Sequence, residues 1–87
     1  MVSKNVKVIN AQGFHMRPAS SFVSEMSKFK SSVTINFGAN KINAKSIMNL
    51  IAACIKCGSE IEIVCDGEDE KEALSKAVSI VESGFGE

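Results

Sequence analysis

The sequence predicts an α+β fold in which one four-stranded sheet carries three helices on a single face. Three observations predict it. The strand-like stretches alternate apolar and polar residues, so each buries only one face. The helix-like stretches carry one apolar stripe each, which needs one surface to cover it. The segments follow one another in the order βαββαβα, which fits two layers.

Val2, Val6 and Val8 alternate with Ser3, Asn5 and Lys7, so residues 2–8 read as the first strand, with Lys4 breaking the pattern. Residues 10–15 read as a loop. A helix follows from about 16 to 28, with Ala19, Phe22, Val23, Met26 and Phe29 as its apolar stripe. Pro18 is tolerated only in a first helical turn, so it marks where that helix begins. Val33, Ile35 and Phe37 make a second strand, Gly38-Ala39-Asn40 a turn, and Ile42 and Ala44 the inward positions of a short third strand.

Ser46 stands where an N-cap belongs, before Ile47-Met48-Asn49-Leu50-Ile51. The second helix is read as ending at Gly58, a C′ glycine. It has more apolar residues than one buried face needs: Ile47, Leu50, Ile51 and Cys54 form one face, while Met48, Ala52 and Ile55 lie outside it. Ile61, Ile63 and Cys65 form the fourth strand, which Asp66-Gly67 turns. The last helix starts in Glu68-Asp69-Glu70, where acidic side chains suit the positive end of the helix dipole. Ala73, Leu74, Ala77, Val78, Ile80 and Val81 are its core stripe, Glu72 and Lys76 an i,i+4 pair, and Gly84 its stop.

A length of 87 residues makes one domain, 1–87, with one core and no sizeable enclosed cavity. Ten basic and ten acidic side chains cancel, which argues against general nucleic-acid binding. No apolar run approaches the roughly 20 residues that span a bilayer, and Met1-Val2-Ser3-Lys4 opens no signal region. The expectation is a cytoplasmic monomer with neither membrane insertion nor cofactor. Cys54 and Cys57 have CxxC spacing, which raises a metal or redox reading. Zinc needs about four ligands, and only Cys65 and His15 could join them. A thioredoxin-like pair belongs at a helix N-terminus, whereas this pair falls in the expected last turn. The reading is ordinary packing or surface thiols, and no metal site.

His15-Met16-Arg17-Pro18 holds the only histidine, arginine and proline of the chain. An imidazole near neutral pH is a nucleophile when unprotonated. Once phosphorylated it carries a dianionic group. The free N–H groups of a helix start, the helix dipole and the Arg17 guanidinium could compensate that charge. The plain alternative is a capping or surface histidine. A hydrolase would need a nucleophile, a base and an orienting group converging in a pocket, which so small a chain cannot enclose. Ser46 also has two readings, a helix cap or a site of regulatory phosphate whose charge repels an acidic partner. Met48 and its apolar neighbours leave an exposed patch suited to docking.

These residues resemble those of the HPr family, the histidine-containing phosphocarriers of the bacterial phosphoenolpyruvate-dependent sugar phosphotransferase system. Gly13-Phe14-His15-Met16-Arg17-Pro18-Ala19 is similar to the family's active-site motif, and Lys45-Ser46-Ile47-Met48 to its regulatory serine region. Gly58-Ser59-Glu60-Ile61, Gly67-Glu68-Asp69-Glu70 and Gly84-Phe85-Gly86-Glu87 fall in the family's order. The resemblance spans essentially the whole chain. It implies an open-faced sandwich with an antiparallel sheet in the order 1-4-2-3.

The resemblance also implies a carrier protein and not an enzyme. His15 would take a phosphoryl group on Nδ1 from phosphorylated enzyme I and pass it to the IIA domains of sugar transporters, with Arg17 steadying the phosphohistidine. Ser46 would be phosphorylated by HPr kinase/phosphorylase. The serine-phosphorylated form would serve a catabolite control transcription regulator, as in low-GC Gram-positive bacteria. Met16, Pro18, Ser20, Lys45, Ile47, Met48, Ile51 and Ala52 are the expected partner-binding residues. The chain departs from the family at Met16, where Ala or Thr is common, and at Cys54, where relatives often have Gly. Two other readings compete. One is a regulatory or nitrogen-branch paralogue acting by protein binding, although the regulatory form that lacks the active-site histidine is excluded by His15. The other is a small metal-binding module using Cys54 and Cys57, which would place its CxxC in the first loop.

Overall fold

The computed structural model describes residues 1–9, 13, 14 and 16–84. Its elements are β1 (Val2–Lys7), α1 (Met16–Met26), β2 (Ser32–Phe37), β3 (Asn40–Asn43), α2 (Ile47–Ala52), β4 (Glu60–Asp66) and α3 (Glu70–Glu82). The four strands form one antiparallel sheet in the order β1-β4-β2-β3. Three helices cover one face, giving the open-faced sandwich that the sequence predicts.

Alternation decides which side chains face the helices. Ile61, Ile63 and Cys65 of β4 are buried, while Glu62 and Val64 between them are half-exposed. Ile63 pairs across the sheet with Lys4 and Ile35, and Ile35 with Ile42, so one row crosses all four strands. Lys4 is the polar end of that row, on the edge strand, where an inward charge discourages pairing with another chain. From the helical layer come Ala19, Phe22 and Met26 of α1, Leu50 of α2, and Ala73, Ala77 and Val81 of α3, all fully buried. Phe22 meets Phe14 edge-on, with ring centroids 5.5 Å apart. Burying a side chain of this size is worth about 2–3 kcal/mol, so Phe22 fastens α1 and the segment before it to the core.

The structure refines the sequence reading in several details. The second helix ends at Ala52, not near Gly58. Ala53 caps it, and Cys54 then takes a left-handed φ of 55° that no α-helix continues through. The strand over residues 2–8 ends at Lys7, although Val8 stays buried and exchanges backbone bonds with Gly58 and Ser59. Lys76 lies 3.4 Å from Glu25 on α1, so its ion pair joins two helices where an intrahelical partner in Glu72 was expected. Asp69 precedes α3 as anticipated but makes no side-chain cap there; its carboxylate accepts the N–H groups of Lys30 and Ser31 and the Ser31 hydroxyl.

Candidate functional site

Gly13 and Phe14, shortly before α1, are seated on a strap, residues 53–59, that joins α2 to β4. The Phe14 N–H donates to the Ile55 carbonyl at 3.0 Å. Gly13 adopts φ 62°, and a Cβ at this position would collide with the Ile55 oxygen and stand 2.8 Å from the Lys56 Cα. Only glycine allows so close a backbone approach. Earlier in the chain, Gly58 donates to the Val8 carbonyl at 2.7 Å and Val8 donates to that of Ser59 at 2.9 Å.

His15, the expected phosphate acceptor, lies outside the described residues. Its neighbours are both placed: Phe14 is buried at 3% exposure, and Met16 is the first residue of α1 and 64% exposed. Arg17 in that first turn is exposed. Pro18 is fully buried, so it offers no surface to a partner, contrary to its expected docking role. Its place is the first turn of α1, where a missing N–H costs nothing and a fixed φ favours the helix.

Ser46 is the N-cap of α2, with extended dihedrals of −119° and 115°, and its Oγ accepts the Asn49 N–H at 3.3 Å. The preceding Lys45 is half-buried, and its ammonium donates to the Phe29 carbonyl at 2.8 Å. The two helices therefore run antiparallel: the start of α2 sits by the chain leaving α1, and the chain leaving α2 sits by Gly13 and Phe14. Eleven residues of α1 measure about 16 Å, so Ser46 and the head of α1 occupy opposite ends of this pair. Between them Met48 is 74% exposed. Ser20 and Ala52 are also exposed, whereas Ile47 and Ile51 are half-buried against the core.

Cys54 and Cys57 are exposed thiols on the strap and Cys65 is buried. Burial, ahead of the nearby Glu70 and Asp69 charges, pushes the Cys65 thiol up from its ordinary pKa. Among the described residues no three His, Cys, Asp or Glu side chains converge as a metal site. No helix of the described residues is long and apolar enough to cross a membrane. Sequence reasoning missed the strap. Its contacts are made by backbone atoms of Ile55 and Lys56, which leave no mark in composition; Gly13 and Gly58 were the available hint.

A family described as the PTS HPr component phosphorylation site matches residues 2–83. The phosphocarrier protein HPr of Treponema pallidum (strain Nichols) is 41% identical over 87 residues, covering 100% of this chain and 99% of that protein. The HPr-like protein Crh of Bacillus subtilis (strain 168) is 40% identical over 82 residues, covering 94% of this chain and 96% of that protein. The crystal structure of HPr-C-His from Thermoanaerobacter tengcongensis superposes with a TM-score of 0.96 at 37% identity, covering 100% of this chain and 98% of that one.

Proposed function

This chain belongs to the HPr family of phosphocarriers of the phosphotransferase system, and we propose that His15 is the residue on which it carries the phosphoryl group. The donor would be phosphorylated enzyme I and the acceptors the IIA domains of sugar transporters. In each step the phosphorus–nitrogen bond at His15 forms as the bond to the donor breaks, or breaks as the bond to the acceptor forms, so the imidazole must be presented rather than enclosed.

One observation carries the reading: the residue before His15 is anchored and the residue after it begins a helix. Phe14 is held by the core and by Ile55, and Met16 opens α1. The unsatisfied N–H groups of the first turn favour an anion there by about 0.3–1 kcal/mol. Arg17, exposed in the same turn, can offer two parallel hydrogen bonds to phosphate oxygens. Met16, Ser20, Met48 and Ala52 supply an exposed, mostly apolar docking face, with Ile47 and Ile51 beneath it. Such a face suits brief complexes.

Ser46 is the proposed regulatory site, modified by HPr kinase/phosphorylase and read by a catabolite control regulator. Because it lies at the far end of α1, its phosphate would act on docking and not by touching the phosphohistidine. A second reading, the regulatory paralogue, is favoured by the near-equal identity to HPr and Crh, 41% and 40%. His15 stands against it, since the resemblance gives that paralogue no active-site histidine.

The test mixes the protein with enzyme I and phosphoenolpyruvate. One acid-labile, base-stable phosphate, seen by intact mass and ³¹P NMR and absent from His15→Ala, is expected, followed by its discharge to a IIA domain. A folded protein that takes no phosphate while control HPr does would move the function to regulatory binding.

A further inference from the structure

The sheet ends at β1, which pairs only with β4. Half of the backbone N–H and C=O groups of β1 therefore point away from β4, and no described residue bonds them. Beside this edge, between β1 and the flank of α3, runs an open groove of about 660 Å³. Val2, Leu74 and Val78 give it an apolar floor, and Lys4 and Lys71 add two cations. Among the described residues neither lysine forms an ion pair. Glu70, the acid next to Lys71, is bound to the Met1 ammonium and the Gly67 N–H. Glu82 also lines the groove, but it lies further along α3, about 16 Å from Lys71.

We infer that this edge docks an extended segment of a partner protein, which adds to the four-stranded sheet as a further strand and carries an apolar, an acidic and an apolar residue at alternate positions. The pattern is set by β1. Val2, Lys4 and Val6 stand opposite the buried Cys65, Ile63 and Ile61 of β4, so these three residues share the helix side of the sheet. An incoming strand lays its own helix-side residues beside them. An acid there meets Lys4 and Lys71, and the flanking apolar side chains reach Leu74 and Val78. Five extended residues span about 16 Å, the run of α3 from Lys71 to Glu82. Backbone bonds would hold such a segment, and its alternate side chains would select it.

Charge decides the occupant. An apolar strand would leave Lys4 covered without a counter-charge, so the lysine that discourages indiscriminate pairing favours an acidic segment. A second copy of this edge does not supply one: β1 reads Val-Ser-Lys-Asn-Val-Lys and holds no acid, whatever the register. The site is also separate from the face that carries Met48. That face belongs to α2, which packs on β3 at the opposite edge of the sheet. A segment on β1 therefore leaves it open.

The probe is the end-blocked peptide Thr-Val-Thr-Glu-Thr-Val-Thr, which reads the same in both directions and so serves either strand polarity. It is titrated into the ¹⁵N-labelled full chain and followed by amide NMR shifts. Saturable shifts are expected in β1 and in residues 71–79. The same peptide with Lys in place of Glu should bind about tenfold more weakly, and K4E/K71E should reverse that preference. Only one edge of an added strand bonds β1. Of two peptides N-methylated at the threonines or at the other three residues, one should therefore lose binding and the other keep it. No saturable shift, shifts centred on Met16 and Met48, or equal affinity for the Glu and Lys peptides would overturn the inference. So would two N-methylated peptides that behave alike. Octanoate matching the peptide's affinity would reassign the groove to small amphiphiles, and the same shifts on concentrating the protein alone would reassign it to a second copy; either result overturns the proposal.

Discussion

The carboxylate of Asp69, at the head of α3, binds Ser31, the residue before β2, through both the Ser31 N–H and its hydroxyl. The Lys30 N–H adds a further bond to the same carboxylate at 2.9 Å. One acidic side chain thus ties together two chain turns 38 residues apart. Gly67 is pressed against the same serine: a Cβ there would stand 2.7 Å from the Ser31 Cα. The junction of β4, α3 and β2 is built around this pair.

Acid should loosen that junction in a defined window. The Ser31 hydroxyl, then the Lys30 and Ser31 amides, hold the Asp69 carboxyl down to about 2 from an ordinary 3.8. A carboxyl depressed on folding stabilises the protein above its unfolded pKa, and the benefit is lost as pH falls through the folded value. Denaturant midpoints should be level above about pH 4 in this respect and decline between about 3.8 and 2. Asp69→Asn should be less stable at neutral pH and show a shallower decline. A variant with the wild-type acid profile would show that other carboxyls, such as Glu25 and Glu70, carry it.

Cys54 should be a site of backbone strain that glycine relieves. A left-handed φ of 55° costs a residue with a Cβ about 1 kcal/mol or more. Glycine pays no such cost but loses more chain entropy on folding. The two terms oppose each other against alanine as well as against cysteine, and strain is the larger, so Cys54→Gly should be more stable than Cys54→Ala by about 0.5 kcal/mol in denaturant titrations. Equal stability of the two variants would mean that the turn relaxes freely.

Gly13→Ala should damage the platform itself. The new methyl meets the Ile55 carbonyl and the Lys56 backbone, and φ 62° is disfavoured for alanine. The combined cost is about 1–3 kcal/mol. Because the collision lies two residues before His15, phosphate acceptance should fall even at temperatures where the variant is fully folded by circular dichroism. Unimpaired acceptance would show that the seat of the loop does not matter for transfer.

These effects divide between what the residues announce and what they conceal. The element order was legible because β4 alternates strictly through Ile61, Ile63 and Cys65, and because α1 and α3 carry apolar stripes. Sheet order was legible only through family likeness, since periodicity says nothing about which strands are neighbours. The end of α2 was misread because Leu50, Ile51, Cys54 and Ile55 continue a helical pattern that the backbone abandons at Cys54. Ile55 is buried as the helix reading would have it, yet it reaches the core from the strap that follows the helix. Asp69 reads as one of three acids before a helix, and its partners Lys30 and Ser31 lie too far along the chain for any local pattern to reveal. The motif around His15 was legible as chemistry; the backbone seat that supports it was not.

Substitutions at Ser46 can separate its structural and regulatory parts. The hydroxyl caps Asn49 at 3.3 Å, so Ser46→Ala should cost about 1 kcal/mol of stability. Aspartate is as good an N-cap as serine and is favoured by the helix dipole. Ser46→Asp should therefore unfold at or above the wild-type denaturant concentration. Its charge, however, stands at the edge of the face that carries Met48, and a buried or rim charge of the wrong sign slows docking. Enzyme I should phosphorylate Ser46→Asp more slowly, mainly through a raised KM, and Ser46→Ala at the wild-type rate. The stabilities and the transfer rates would then rank the two variants in opposite orders, which no single structural effect produces. Transfer rates that followed stability instead would reduce Ser46 to a helix cap.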